Sequence, residues 1–433
     1  MFCPTCGTKN QEGATYCGAC GRKLVPDARP RPSARRNALV AVIVVSCAVT
    51  LVSVALIVMH LLGSPTQDAS NNMALCANGL ARKGGYDYFF VEADHAICRA
   101  RTGGGPGDSE HVIDVPEGTF VNDLAISGDQ IIYVTNWYQT ENVAAVSAAS
   151  LDGSDYRTLV TAAELAQGAE SVSLGDLAVF GDRVYLRKMV NDSDSWERRN
   201  DILSMRPDGS DLRVEGSFIG KNASVYATLL TPDKFYYAAA PDTTGRSTTC
   251  TVYSQNLDGS HFSQLYQSDV GIIYHLGISG DRLVFDEVNY TVQKTVVTST
   301  KLDGTDPVRL YTAPTDTQAK LAAVADNRAY VIQTNTSGTD PSSPVTTILS
   351  IPLLGGNATQ VWTSTSLQSP EIAAAGDHLV VFENSFESYG LMGDLVFAID
   401  FDGSWLGTYA VSPYGEPKLD GSGLPAQQPS ASG

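Results

Sequence analysis

The sequence predicts an all-β fold: a β-propeller of seven, alternatively six, four-stranded blades, preceded by a small N-terminal ribbon and one apolar helix. Three observations predict it. A short phrase recurs as Leu151-Asp-Gly-Ser, Pro207-Asp-Gly-Ser, Leu257-Asp-Gly-Ser, Leu302-Asp-Gly-Thr, Leu354-Gly-Gly-Asn and Phe401-Asp-Gly-Ser, at intervals of 45 to 56 residues, within or near the spacing of propeller blades. Seven strand-like segments precede these turns. Two C-x-x-C-G pairs and an uncharged apolar run stand in front of the repeats.

At the N-terminus stand Cys3-Pro-Thr-Cys6-Gly7 and Cys17-Gly-Ala-Cys20-Gly21, with ten residues between Cys6 and Cys17. Two short Cys pairs supply the four soft ligands of a tetrahedral zinc site, so Cys3, Cys6, Cys17 and Cys20 are the expected metal ligands. Gly after each second Cys suits the positive φ of a tight knuckle. Phe2, Tyr16 and Leu24 are the main apolar residues of this segment, too few for a core, so metal would supply most of its folding energy. Two disulfides or a redox pair are the rival reading, which fits a reducing cytoplasm poorly. Residues 2–24 resemble the short zinc ribbons at the N-termini of many bacterial membrane proteins. That resemblance implies a structural or protein-contact role, with zinc as a structural cofactor.

Residues 25–37 read as a basic linker and residues 38–62 as a transmembrane helix. The run from Ala38 to Leu62 carries no Asp, Glu, Lys or Arg and is long enough to cross a hydrocarbon layer of roughly 30 Å. It begins too late and runs too long for a cleaved signal peptide. Val44-Val-Ser-Cys47 resembles a lipoprotein cleavage site, but the apolar run continues well past Cys47. Arg29, Arg31, Arg35 and Arg36 stand before the span and no basic residue follows it closely. The positive-inside bias therefore puts the N-terminus in the cytoplasm and the C-terminal domain outside, in a single-pass protein of the cell membrane. Residues 63–74 read as a second linker.

The propeller is expected over residues 75–411. Its second strands align as Tyr86-Asp-Tyr-Phe-Phe, Gln130-Ile-Ile-Tyr-Val, Arg183-Val-Tyr-Leu, Lys234-Phe-Tyr-Tyr, Arg282-Leu-Val-Phe, Arg328-Ala-Tyr-Val and His378-Leu-Val-Val-Phe. Each leads through a third strand to the Asp-Gly turn, whose positive φ glycine tolerates best, and then to a fourth strand. The first repeat has only a weakened turn, Thr102-Gly-Gly-Gly. The pairing of an Ile/Val-Tyr strand with a later Leu-Asp-Gly-Ser turn resembles the propellers of low-density-lipoprotein-receptor-related proteins. It is closer to a bacterial domain family of unknown function found behind a zinc ribbon and a membrane span. The resemblance implies the fold and no binding residue. The Tyr-Trp-Thr-Asp strand of the eukaryotic family is absent, and that family has six blades against the seven repeats counted here. Residues 412–433, rich in Gly, Ser, Pro and Gln, read as a disordered tail.

Charge divides the chain. Seven basic against two acidic residues give +5 over residues 1–37, while the whole chain carries −18. An acidic body excludes nucleic acid as a partner, since nucleic-acid binding needs basic surface. The chain lacks H-E-x-x-H, G-x-S-x-G and Walker-type motifs. Asp-Gly-Ser-Asp at Asp152–Asp155 and Asp208–Asp211 offers carboxylates to calcium, but without EF-hand spacing. Side chains bonding their own backbone account for them as well. Cys76 and Cys98 lie in the first repeat, where a bridge is open either way, and Cys250 reads as a small buried residue.

No catalytic residue is expected. The sequence fits a membrane-anchored binding protein that presents an extracellular propeller to a protein or glycan partner, with a possible cytoplasmic protein at the ribbon. A hydrolase or lyase acting at the tunnel mouth, or a transmembrane sensor, are the alternatives. The segments Asn136-Trp-Tyr138, Asn191 to Asn200 and Thr334 to Pro344 are the expected contact loops.

Overall fold

The computed structural model describes residues 1–24, 79–92, 94–104, 108–137, 144–166, 170–192, 198–219, 223–241, 249–315, 317–335, 345–364, 370–386 and 392–411. The chain divides into two compact units, Met1–Ser64 and Pro65–Gly433. The expected linkers at 25–37 and 63–74, the span at 38–62, Cys47, Cys76 and the tail at 412–433 lie outside the described residues. Among the described residues no helix is long and apolar enough to cross a membrane.

Seven antiparallel four-stranded sheets follow one another, each made of four consecutive strands. The first opens at Leu80–Lys83 and the seventh closes with Trp405–Val411. The six-blade alternative, and the count that the receptor resemblance implies, are thereby corrected to seven. All seven second strands begin at the predicted residues Tyr86, Gln130, Arg183, Lys234, Arg282, Arg328 and His378. One helical turn, Ala162–Leu165, interrupts the strands among the described residues, and a Thr161–Glu164 capping box sets its start by satisfying its orphan amides.

The blades adhere through their faces. Seven buried apolar clusters each span two neighbouring sheets, one for every interface of the ring. The second strand of blade 5, Arg282–Asn289, shows why these strands read as unbroken apolar runs. Leu283 and Phe285 pack toward blade 4 while Val284 packs toward blade 6. A strand covered on both faces has no solvent side to keep polar. Each such fully buried side chain contributes roughly 1.5–3 kcal/mol.

The repeated turn joins the third and fourth strands. In blade 2, Asp152 Oδ1 accepts the Ser154 amide at 3.0 Å and its hydroxyl at 2.6 Å. Gly153 sits at φ 84° and Asp155 at φ 56°. The same turn recurs at Gly209, Gly259, Gly304 and Gly403, with φ between 82° and 91°. Glycine is required there twice over. A Cβ on Gly153, Gly304 or Gly403 would fall 1.8, 2.2 or 2.0 Å from the carbonyl oxygen of Val112, Leu265 or Val361. Those oxygens belong to the fourth strand of the preceding blade, so each turn docks on its neighbour.

The weakened first turn has the same role. Gly103 faces the Leu406 carbonyl in the last strand of blade 7, and a Cβ on Gly407 would lie 2.5 Å from the Gly104 oxygen. Blade 7 thus docks on blade 1 and the ring closes. Phe89 stacks on Tyr409 at 5.5 Å across this junction.

Candidate metal centre and candidate binding recess

The N-terminal unit is two knuckles built alike. Cys3 N donates to the Thr8 carbonyl and Gly7 N to the Cys3 carbonyl, and Cys17 N donates to Arg22 while Gly21 N donates to Cys17. Gly7 and Gly21 take the expected positive φ, 71° and 67°. Antiparallel bridges Phe2↔Lys9 and Tyr16↔Lys23 close the knuckles. The structure brings Cys3, Cys6, Cys17 and Cys20 together, with all four sulfurs within 4.8 Å of one another. Cys3 and Cys20 sulfurs are 3.7 Å apart, and Cys6 and Cys17 3.6 Å. A zinc–sulfur bond near 2.3 Å makes a tetrahedral edge of about 3.8 Å, so the set fits the ion. It does not fit disulfides, whose sulfurs stand about 2 Å apart.

The thiol electrostatics match. Amides of Cys20 and Ala19 pull Cys17 down to about 6, and amides of Thr5 and Cys6 lower Cys3. The Arg22 amide lowers Cys20, but the Cys6 and Cys17 sulfurs outweigh it and push this thiol up to about 12. Four adjacent thiolates repel one another, and a divalent cation removes that penalty. Asn10 is a residue that sequence reasoning missed. Its Nδ2 donates toward Cys17 Sγ at 3.6 Å and its Oδ1 accepts the Gly18 amide at 2.9 Å, which ties the knuckles together. Of the three apolar residues, Leu24 is buried while Phe2 and Tyr16 are exposed by 67% and 59%, so the segment has almost no core, as expected.

On the propeller, a recess of about 410 Å³ opens between blades 5 and 6. Three tyrosines rise beside it. Tyr226 stands at a bulge of the first strand of blade 4, Ala223–Leu230, where the register shifts between Val225 and Ala227. Such a bulge re-aims a side chain, and Tyr226 is exposed. Tyr274 precedes the first strand of blade 5, Leu276–Ser279, and Tyr290 follows the second. The rings meet edge to face, Tyr226 to Tyr274 at 5.7 Å and Tyr274 to Tyr290 at 5.8 Å. Tyr290 is 68% exposed. Gln293, Lys294, Gln318 and Lys320 line the same recess.

His275 reaches the recess with Asp286 behind it, Nδ1 to Oδ2 at 2.6 Å. Burial lowers this imidazole, but the Asp286 charge and hydrogen bond outweigh it and raise it. Asp286 is fully buried. Its Oδ1 accepts the amides of Tyr274 and His275, and its Oδ2 also accepts the Leu321 amide of blade 6. The carboxylate therefore positions backbone across two blades. At the end of the ring where first and second strands turn, a second cavity of about 780 Å³ is lined largely by apolar side chains, many of them alanines.

The other sequence expectations fall as follows. The first carboxylate of each Asp-Gly-Ser-Asp is occupied by its own turn, where the Ser154 and Ser210 groups lower Asp152 and Asp208, and Asp211 is held by Arg183 and Arg213. Residues 193–197 and 336–344 of the expected contact loops, and Tyr138, lie outside the described residues. Cys98 is a buried free thiol in the third strand of blade 1, and Cys250 is buried at the entrance to the third strand of blade 4.

The family model of the zinc-ribbon domain matches residues 2–24. No curated protein matches the chain. Among solved structures, a puromycin hydrolase S511A mutant complexed with PGG is similar at 13% identity and a TM-score of 0.52. That likeness covers 82% of this chain, which spans 58% of the hydrolase. An oligogalacturonate lyase in complex with manganese matches at 11% identity and 0.44, covering 63% of this chain and 76% of the lyase. A nidogen/laminin complex matches at 13% and 0.38, covering 62% and 90%. The hydrolase likeness supports the propeller fold and nothing finer.

Proposed function

We propose that this is a membrane-anchored binding protein whose extracellular propeller presents the Tyr226–Tyr274–Tyr290 row to a glycan. The row carries the reading: three rings, one from a strand bulge and two from connections, touch in series beside a concave site. Aromatic faces cover the apolar faces of sugar rings, and amide and ammonium groups meet their hydroxyls. The uncharged run at 38–62 supports anchoring, with the basic cluster before it holding the N-terminus in the cytoplasm. Cys3, Cys6, Cys17 and Cys20 hold one structural zinc ion, and exposed Phe2 and Tyr16 offer the ribbon's contact to a cytoplasmic protein.

The test is capture on a panel of immobilised cell-envelope glycans by the full chain in detergent. Wild type binds a defined subset and Tyr290→Ala does not. A chain that binds no glycan but retains an envelope protein through the same tyrosines would replace the sugar with a protein partner.

One observation favours a second reading. The His275–Asp286 pair at the recess resembles an oriented general base, so a hydrolase or lyase is the rival. Asp286 is already engaged by three backbone amides, which supports the binding reading over it.

A further inference from the structure

We propose a second metal site, in blade 1, formed by Asp94, Cys98 and His111 and suited to zinc or a similar late divalent transition metal. Cys98 lies in the third strand, Ala96–Arg101, and His111 in the fourth, Glu110–Asp114, where the two residues are direct cross-strand partners. Asp94 comes from the turn entering the third strand. His111 Nε2 and Asp94 Oδ2 are 3.2 Å apart, and all three ligand atoms lie within 4.8 Å of one another. Metal bonds of about 2.0–2.3 Å place ligand atoms roughly 3.2–3.8 Å apart, so modest side-chain rotation completes the set.

The chemistry of the donors is specific. Imidazole, thiolate and carboxylate together suit a borderline-soft ion and not calcium or magnesium. On binding, the metal displaces the thiol proton to solvent and takes the thiolate. Asp94 and His111 are exposed, so the ion enters from the surface and keeps an open position there, as three-ligand zinc sites do. This site is independent of the four-cysteine set and of the tyrosine row.

The test is metal content of the full chain, purified under reducing conditions and dialysed against zinc. Wild type holds two zinc ions per chain, His111→Ala holds one, and the Cys3→Ser/Cys6→Ser double variant also holds one. Because His111 is exposed, its loss leaves the fold intact, which circular dichroism checks. Cobalt titration of the double variant gives a thiolate-to-cobalt charge-transfer band that Cys98→Ser abolishes. One zinc ion in wild type, unchanged by His111→Ala, overturns the proposal. So does recovery of a Cys76–Cys98 disulfide by peptide mapping of protein from the cell surface.

Discussion

His378 Nε2 lies 2.9 Å from Asp87 Oδ2, and the two side chains, 291 residues apart, tie the last blade of the ring to the first. Both are fully buried. Tyr409 donates its hydroxyl to the same oxygen at 2.6 Å. At the larger cavity, Arg82 of blade 1 donates to the Ala375 carbonyl at 2.7 Å and pairs with Asp377. No strand is exchanged between blades 7 and 1, so packing and this polar knot close the ring.

Removing Asp87 therefore opens the junction. Asp87→Ala strands a buried imidazole and a buried phenol, and losing one partner of a buried pair costs about 3–5 kcal/mol. Chemical unfolding of the purified protein checks it, with Lys301→Ala at the exposed end of a strand as an unaffected control.

Stability falls as pH rises. Asp123, between blades 2 and 3, is pushed up to about 7 by burial and by the Asp176 charge. A raised folded value means this stabilising contribution is full below the unfolded value of about 4 and is lost as pH rises through 7. His378 acts the same way. Burial lowers it, but Asp87 and Asp377 outweigh burial and Arg82 and raise it, so its contribution is lost above its ordinary value of about 6.5. Melting temperature should drop between pH 5 and 8, by less in Asp123→Asn. These pH values are set by roughly those two transitions.

The glycines are not equivalent. Gly304→Val and Gly403→Val meet a carbonyl oxygen 2.2 and 2.0 Å from the new Cβ, whereas the nearest atom to Gly259 is 3.8 Å away. Gly259→Val should cost about 1 kcal/mol for its positive φ, and the other two substantially more, because a neighbouring strand must also move. Parallel thermal melts decide it; equal losses at all three would show that docking contributes nothing.

Much of this fold was legible because it is local. The Asp-Gly turns and Tyr-rich second strands recur at blade spacing, and strands buried on both faces announce themselves as apolar runs. Ring closure was not legible, since Asp87, His378 and Tyr409 meet only after five intervening blades. The clustering of Cys3, Cys6, Cys17 and Cys20 was legible from spacing, while Asn10 was hidden because an Asn between knuckles looks like any loop residue. Tyr226 in a strand and Tyr274 and Tyr290 in two connections share no common pattern, and only the bulge at Tyr226 and the ring geometry bring them together.

Asn10 braces the four-cysteine cluster from outside. Asn10→Ala should weaken zinc affinity about 10–100-fold, as loss of a partner behind metal ligands does, without removing the site. Competition with a chromophoric chelator reads the change; an unaltered affinity would assign Asn10 to folding alone.

The most direct test of the binding reading is saturation-transfer NMR of the full chain with a saccharide captured from the glycan panel. Transfer from the tyrosine rings to sugar ring protons is expected, together with loss of that transfer in Tyr290→Ala and an unchanged saccharide spectrum after prolonged incubation. New anomeric or unsaturated-sugar signals that vanish in His275→Ala would contradict the account and make the recess an active site.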